Sequence, residues 1–451
     1  MTIWPASLSE IAIEVLERVR PRPEDQKHLN EIASSILSRI QSQADAYGLD
    51  LKAMLVGSAA RGTWLSEDHD LDIFLGIPVG SDLSKALELA KNVVPEYEEK
   101  YAAHPYIHAK IDGFDVDLVP CYLVDSASKL KSAVDRTPFH TKYVVGKIVG
   151  LEEDVLLLKQ FMKGIGVYGS ELRVGGFSGY LTELLVLRFG SFPAVLQAAV
   201  SWRPGEIIDL ESHISLQHNE PLVVVDPVDP ARNVAAALTI DKMFQFVAAS
   251  RCFLAHPALD FFFPTKHQPI SDEELQTILE SRKSMLMLLD FQAPAVVEDV
   301  LFPQLRKAEE SAKALLERGG FRTLRSDVGI YGEKAGIFLE MEVWEQSKVR
   351  RSLGPPIWEA DHLSRFLAAH SQPLSGPYIE NGRAMVELPR SYVTAKELLA
   401  AEVQNLSLGR HLSIAIRSGY NIYVGPELSS IEDKDFRIFL ARYFEARAKM
   451  C

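Results

Sequence analysis

Cysteine is scarce in this 451-residue chain, which has only Cys121, Cys252 and Cys451. They lie far apart and form no CxxC pair. That argues against a zinc ribbon or a disulfide scaffold and points to a reducing compartment. No run of 18 apolar residues occurs, so no membrane span is expected. The first ten residues lack a basic segment followed by an apolar one, so no secretory signal is expected and the expected location is the cytoplasm. Low-complexity tracts and internal repeats are also missing. With 47% hydrophobic and 24% charged residues, the composition is that of folded globular domains, two to four of them at this length. Positive charge is in short supply: 48 Lys and Arg against 61 Asp and Glu leave a net charge of −13. Taken globally this points away from nucleic acid, but binding depends on local fields. Two segments depart from the average. Residues 129–147, "KLKSAVDRTPFHTKYVVGK", hold five basic residues and one acid, and 346–354, "QSKVRRSLG", hold three and none. By itself a short charge run is a solvated face.

What is present falls into three stretches. Residues 24–47 have the spacing of a long helix, and "LKAMLVGS" reads as a buried strand ending in a Gly-Ser turn. "LDIFLGI" is a second strand, followed by a helix over about 81–100. In "KIDGFDVDLVPCYLV", Phe114, Val116 and Leu118 alternate with Asp115 and Asp117, the period of a strand. Residues 1–145 are therefore expected to form a small mixed α/β head. Residues 146–264 are expected to be mainly helical, with helical apolar faces in "LEEDVLLLKQFMKGIG" and "GFSGYLTELLVLRFG" and a further helix starting near Asn233. Residues 265–451 mix strands and helices again. There "SAKALLERGG" is a helix closed by glycine, "GIFLEMEVW" alternates as a half-exposed strand would, and "SIAIRSGYNIYVG" is ambiguous between helix and strand.

The chemistry lies in "MLVGSAARGTWLSEDHDLDIF", residues 54–74. On a strand, positions i and i+2 face the same way, so Asp70 and Asp72 project together. Two such carboxylates repel unless a cation lies between them, and hard divalent ions such as Mg²⁺ take oxygen ligands. Asp115 or Asp117 on "FDVDLVP" could supply a third carboxylate. Two ions roughly 3.5–4 Å apart can serve both the attacking and the leaving oxygen of an in-line phosphoryl displacement. The Gly57-Ser58 turn, from strand into helix, offers free backbone N–H groups to an anion, with the Ser58 hydroxyl and the Arg61 charge beside it. It is not a GxxxxGKS loop. A lone D-x-D is a solvated strand face and a lone Gly-Ser turn means little, but the ordered set reads as phosphate chemistry.

That order is the signature of the nucleotidyltransferase superfamily. "VGSAARGTWL", "YAAHPYIHAKIDGFDVDLVPCY", "KSAVDRTPFH", "VYGSELRVGGFSGYLTELLV", "VVVDPVDPARNVAAALT", "LFPQLRKA" and "PYIENGRAMVEL" together resemble the archaeal-type (class I) CCA-adding enzymes over most of the chain. The match weakens beyond about residue 390, and that family often has glutamate where this chain has Asp70. The resemblance implies an α+β multidomain fold: a nucleotidyltransferase head with a polymerase-β-like palm, a helical neck (146–264) and a mixed α/β body and tail (265–451, tail roughly 320–390). It implies template-independent addition of CCA to tRNA lacking it, from CTP and ATP with two Mg²⁺ ions, and a homodimer. Asp70, Asp72 and Asp117 are then the metal-holding, catalytic residues. Gly57, Ser58, Arg61, Thr137, Lys159 and Tyr168 contact the triphosphate, His104 lines the nucleotide pocket, and Arg232 reads the base. Lys348, Arg350 and Arg351 fall in the tail region that grips the tRNA acceptor end. The competing readings are a poly(A) polymerase type of enzyme, an inactive tRNA-binding homologue, and a small-molecule nucleotidyltransferase, which would need far fewer residues.

Overall fold

The computed structural model describes residues 6–101 and 103–445. These form two compact units, one up to residue 265 and one from 266.

The first unit opens with α1 (Ala6–Val19) and α2 (Pro23–Ala46), followed by β1 (Lys52–Val56), the single turn α3 (Gly57–Arg61) and β2 (Asp70–Pro78). Then come α4 (Leu83–Val93), β3 (Glu98–Tyr101), β4 (Pro105–Ile111) and β5 (Phe114–Leu123). The helix expected over 81–100 therefore stops at Val93 and gives way to an edge strand. The five strands form one sheet in the order β1-β2-β5-β4-β3, with β2 and β5 parallel and the other neighbours antiparallel. Strands β4 and β5 are a hairpin closed by Asp112 and Gly113, both with positive φ (48° and 86°), the conformation of a two-residue primed turn. Leu29, Ile32, Ala33, Ile36, Ile40 and Ala44 of α2 recur every three or four residues and cover the sheet together with α4.

A second core lies in the neck, built from α5 (Thr137–Val145), α6 (Glu152–Gly164), α7 (Gly179–Phe189), α8 (Phe192–Ala199) and, after a small sheet, α9 (Ile240–Ala255). Ser178, Ser191 and Thr239 each accept a hydrogen bond from a first-turn amide, which fixes where α7, α8 and α9 begin. The small sheet is β6 (Glu206–Asp209), β7 (Leu222–Asp226) and β8 (Asp229–Asn233). The helix expected near Asn233 starts only at Ile240, because Arg232 and Asn233 end a strand. Helix α1, expected with the head, instead buries Leu8, Ala12, Val15, Leu16 and Val19 in the neck core. No single helix among the described residues is long and apolar enough to cross a membrane. Helices α7 and α8 pass that test only as a pair bent by 92°, and both belong to the neck core.

The second unit contains α10 (Asp272–Arg282), β9 (Met285–Gln292), α11 (Glu298–Arg318), β10 (Arg322–Tyr331) and β11 (Lys334–Val343). Next are β12 (Val349–Pro356), α12 (Ala360–Ala369), β13 (Ser375–Glu380), β14 (Arg383–Pro389), α13 (Ala395–Glu402), α14 (Arg410–Ser418), β15 (Tyr420–Val424) and α15 (Lys434–Phe444). The main sheet has the order β10-β11-β9-β15. Strand β11 is central and covered on both faces, so the half-exposed strand expected from its alternation is not found. Ile337 and Leu339 face one core and Phe338 the other. Glu340, only 1% exposed, receives Arg282 Nε at 2.6 Å, the Ser284 hydroxyl at 2.5 Å and the Tyr443 hydroxyl at 3.2 Å. The ambiguous segment is both things in turn, α14 and then β15, parted at Gly419. Strands β12, β14 and β13 form a separate sheet with α12, so that the expected 320–390 tail contains two different sheets. Among the described residues, Cys121 is a buried free thiol.

Candidate active site

Because β2 and β5 run parallel and in register, Asp70 lies beside Asp115 and Asp72 beside Asp117. Side chains of adjacent strands in register share a face, so four carboxylates crowd one end of the pair. Burial pushes the Asp72 carboxyl up to about 6, and Asp117 and Asp70 add to the rise while Arg61 opposes it. Asp70 is raised as well, by burial first and then by Asp68, Asp115 and Asp117. Gly57 closes in on this group from the turn after β1. With φ +73°, a Cβ there would lie 2.2 Å from Asp72 Oδ2, so only glycine lets the chain pass the carboxylate.

All-oxygen donors under mutual repulsion are chemically suited to a divalent cation. As they stand, however, no three His, Cys, Asp or Glu side chains among the described residues converge on one metal position. One reason is visible: His108 Nδ1 lies 2.7 Å from Asp117 Oδ1, and its Nε2 lies 3.4 Å from Asp115. The donor chemistry fits, and Asp117 is engaged by a histidine that the sequence motifs did not single out.

The basic residues expected at the triphosphate are held by the neck. Arg61 Nε donates to the Gly57 carbonyl at 2.8 Å, and its guanidinium pairs at 2.7 Å with Glu183 of α7, whose side chain is fully buried. The Thr63 hydroxyl donates to the same carboxylate at 2.5 Å. Lys159, 2% exposed, donates to the Thr63 carbonyl at 2.7 Å, and burial lowers its pKa to about 8 against the opposing pull of Glu183. Lys159 therefore supports the turn from beneath. Tyr168 is near it, since a Cβ on Gly179 would lie 3.0 Å from the Tyr168 hydroxyl and 3.8 Å from Lys159 Nζ. Lys163 pairs with Asp68 at 2.5 Å and lies 5.6 Å over the Tyr168 ring. Ser58 is half-buried in α3, a single turn too short for a strong helix dipole, so any anion there would rely on a few backbone amides.

His104 lies 3.4 Å from the Ser132 hydroxyl, and burial lowers its pKa against the opposing charge of Asp135. Asp135, 1% exposed, accepts from the amides of Tyr122, Lys131 and Ser132 and so shapes the loop that leads into Thr137 at the start of α5. Arg232 donates to Asp226 at 2.8 Å and lines a pocket of about 380 Å³ with Ser178, His218 and Glu220. In the second unit, Lys348, Arg350 and Arg351 are all exposed. Arg350 and Arg351 are consecutive on β12 and face opposite ways, and Arg351 pairs with Glu380, so the three do not form one patch.

Three family models match successive parts of the chain: a nucleotidyltransferase domain over residues 33–140, the second domain of tRNA nucleotidyltransferase over 153–263, and the C-terminal domain of CCA-adding enzymes over 282–425. A CCA-adding enzyme of Methanosarcina acetivorans is 42% identical over 444 residues, covering 96% of this chain and 98% of the relative. The chain belongs to the CCA-adding enzymes. Relatives of the same name from Methanothermobacter thermautotrophicus and Haloarcula marismortui are 41% and 37% identical, over 94% and 96% of this chain and 96% and 98% of their own lengths. A solved RNA terminal uridylyl transferase aligns over 57% of this chain and 98% of its own at 14% identity, with a TM-score of 0.46. The fold is that of a multidomain nucleotidyltransferase, and membership in this family means tRNA nucleotidyl transfer with nucleoside triphosphates and divalent metal.

Proposed function

We propose that this chain restores the 3′-terminal CCA of tRNA by adding two CMP units and one AMP unit from CTP and ATP. In each addition the tRNA 3′-hydroxyl oxygen bonds to the α-phosphorus, the bond to the β-phosphate oxygen breaks, pyrophosphate leaves, and the hydroxyl proton passes to solvent. Asp70, Asp72 and Asp117 would hold two Mg²⁺ ions, and the ions would supply acidity to the hydroxyl and neutralise charge on the phosphate. Gly57 keeps the turn against Asp72, and Ser58 with the nearby amides takes the triphosphate. Arg61, held by Glu183, keeps positive charge beside Asp72. Tyr168 lies next to Lys159, which carries the turn from below. His104 and Thr137 border the nucleotide, and Arg232 reads its base. In the second unit Lys348 and Arg350 contact tRNA phosphates. The working form is a homodimer in the cytoplasm, and sedimentation would show the dimer.

The observation that supports this reading best is the in-register pairing of Asp72 with Asp117 beside Gly57, in a chain related end to end to enzymes of that name. The test is extension of a tRNA lacking its last three nucleotides, with Mg²⁺ and each nucleotide singly and combined. Addition of C, C and then A, abolished in Asp72→Ala, supports the proposal. An A tail from ATP alone would move the chain to the poly(A) polymerase type, and tRNA binding without incorporation would make the head a scaffold.

A further inference from the structure

The β7–β8 hairpin carries a carboxylate that no sequence motif singled out. The Asp226 side chain is fully buried. Its Oδ2 accepts from Arg232 Nη1 and from His140 Nε2, both at 2.8 Å. Its Oδ1 accepts from the Val228 amide at 3.1 Å and the Tyr180 hydroxyl at 3.3 Å. An ionised carboxylate only accepts, so His140 presents the tautomer protonated on Nε2. The His140 ring stacks on Tyr180, with centroids 4.0 Å apart and planes at 21°. The four donors come from four places: β8, helix α5, helix α7 and the hairpin turn. A second tie, Arg136 to Asp229 at 2.8 Å, fastens the same hairpin to the segment just before α5. Arg232 keeps about 35% of its side chain exposed, so one nitrogen is gripped while the rest of the guanidinium faces the pocket.

We propose that Asp226 is a positioning residue: by gripping one nitrogen of Arg232 it aims the remaining donors at the base of the incoming nucleotide. Through His140 and Tyr180 it refers that aim to helices α5 and α7. The proposal rests on the reading of Arg232 as the base-contacting residue. An arginine side chain free to rotate offers its donors in many directions, whereas telling one base edge from another needs donors fixed in angle. Asp226 itself touches no substrate.

The experiment is steady-state CTP and ATP addition to tRNA lacking CCA. It would compare wild type, Asp226→Asn, Arg232→Ala and the double variant, and measure misincorporation from UTP and GTP. Asp226→Asn is expected to raise KM for both correct nucleotides and the misincorporation ratio by roughly tenfold, with kcat changed less than about threefold. The double variant should be no worse than Arg232→Ala alone, since the carboxylate acts through the arginine. If Arg232→Ala disturbs selectivity and Asp226→Asn does not, the positioning role is overturned while the base-reading role stands. If neither variant disturbs selectivity, base reading by Arg232 fails and the proposal fails with it. Additive losses, or a fall in kcat at unchanged selectivity, would make Asp226 merely structural. Should Asp226→Asn melt below the assay temperature, Tyr180→Phe and His140→Phe each remove one side-chain donor from the carboxylate. Both are expected to raise misincorporation by about threefold, and unchanged selectivity in both would overturn the proposal.

Discussion

At the scale of single residues, the glycine before the first turn decides more than any neighbouring side chain. Gly57 and Gly62 flank the same short helix with almost the same positive φ, +73° and +69°, but nothing lies within 4 Å of a Cβ added at Gly62. Gly62→Ala should therefore cost only the left-handed strain of about 1–2 kcal/mol, seen in thermal melting, and leave incorporation near wild type. Gly57→Ala must displace Asp72, and incorporation should fall by about a hundredfold or more. Lys159 gives a second test. Its folded pKa of about 8 lies below the ordinary lysine value of 10.5, so between those values the unfolded chain binds more protons and stability from this group rises with pH. Below about pH 8 it is charged in both states and contributes no slope. The stability of wild type relative to Lys159→Met should thus increase between pH 8 and 10.5, by at most about 1.4 kcal/mol per pH unit. Melting curves across that range would show it, and a constant difference would contradict the buried placement. Asp70 and Asp72 were legible as a pair because the strand period puts them on one face, whereas it puts Asp115 and Asp117 on one face alike, and only the resemblance chose Asp117. Glu183 and Asp226 were not, because a lone acid in an apolar run does not name its partner: Thr63 and Glu183 are 120 positions apart.

Among the elements, the errors of sequence reading have a common physical source. Helix α1 has an apolar face, but amphipathicity says that a face is covered, not by what, and the cover turned out to be the neck. Val15→Asp puts a charge at a fully buried position and should cost about 3 kcal/mol or more, whereas Ile13→Asp, at a position 59% exposed, should be close to neutral. Strand β11 alternates in its sequence yet is covered on both faces, because Glu340 is paired rather than solvated. The Asp112-Gly113 hairpin was, by contrast, written in the chain and passed over: two adjacent residues tolerant of positive φ between alternating runs. Strand alternation also sorts the basic residues of the tail. Arg351 is paired with Glu380 and Arg350 faces the other way. Arg350→Ala should weaken tRNA binding and lower the salt slope by roughly 1, and Arg351→Ala should do so less, as filter binding over a salt series would show.

For the whole molecule, the carboxylate-bearing face of β2 could be read because strand period and motif order agree. What could not be read is how tightly head and neck are joined, since that depends on pairs distant in sequence. The crowding of Asp70, Asp72 and Asp117 predicts a stability effect of metal independent of turnover. Mg²⁺ should raise the melting temperature of the full chain, EDTA should reverse the gain, and Asp72→Asn should largely remove it. Equal shifts in wild type and variant would assign the ion to another place.

Helix α1 lies in the neck core, the chain then builds the head, and it returns with Val144 and Ile148 in the same neck core. The head is thus a guest seated in its host by two covalent crossings, with Glu183 reaching across to Arg61 and Thr63 between them. A part moored at both ends carries both crossings with it, so any swing of the head must bend the chain both between α1 and α2 and near Val144. The head cannot be exchanged as a cassette without α7, whose Glu183 holds Arg61 and Thr63.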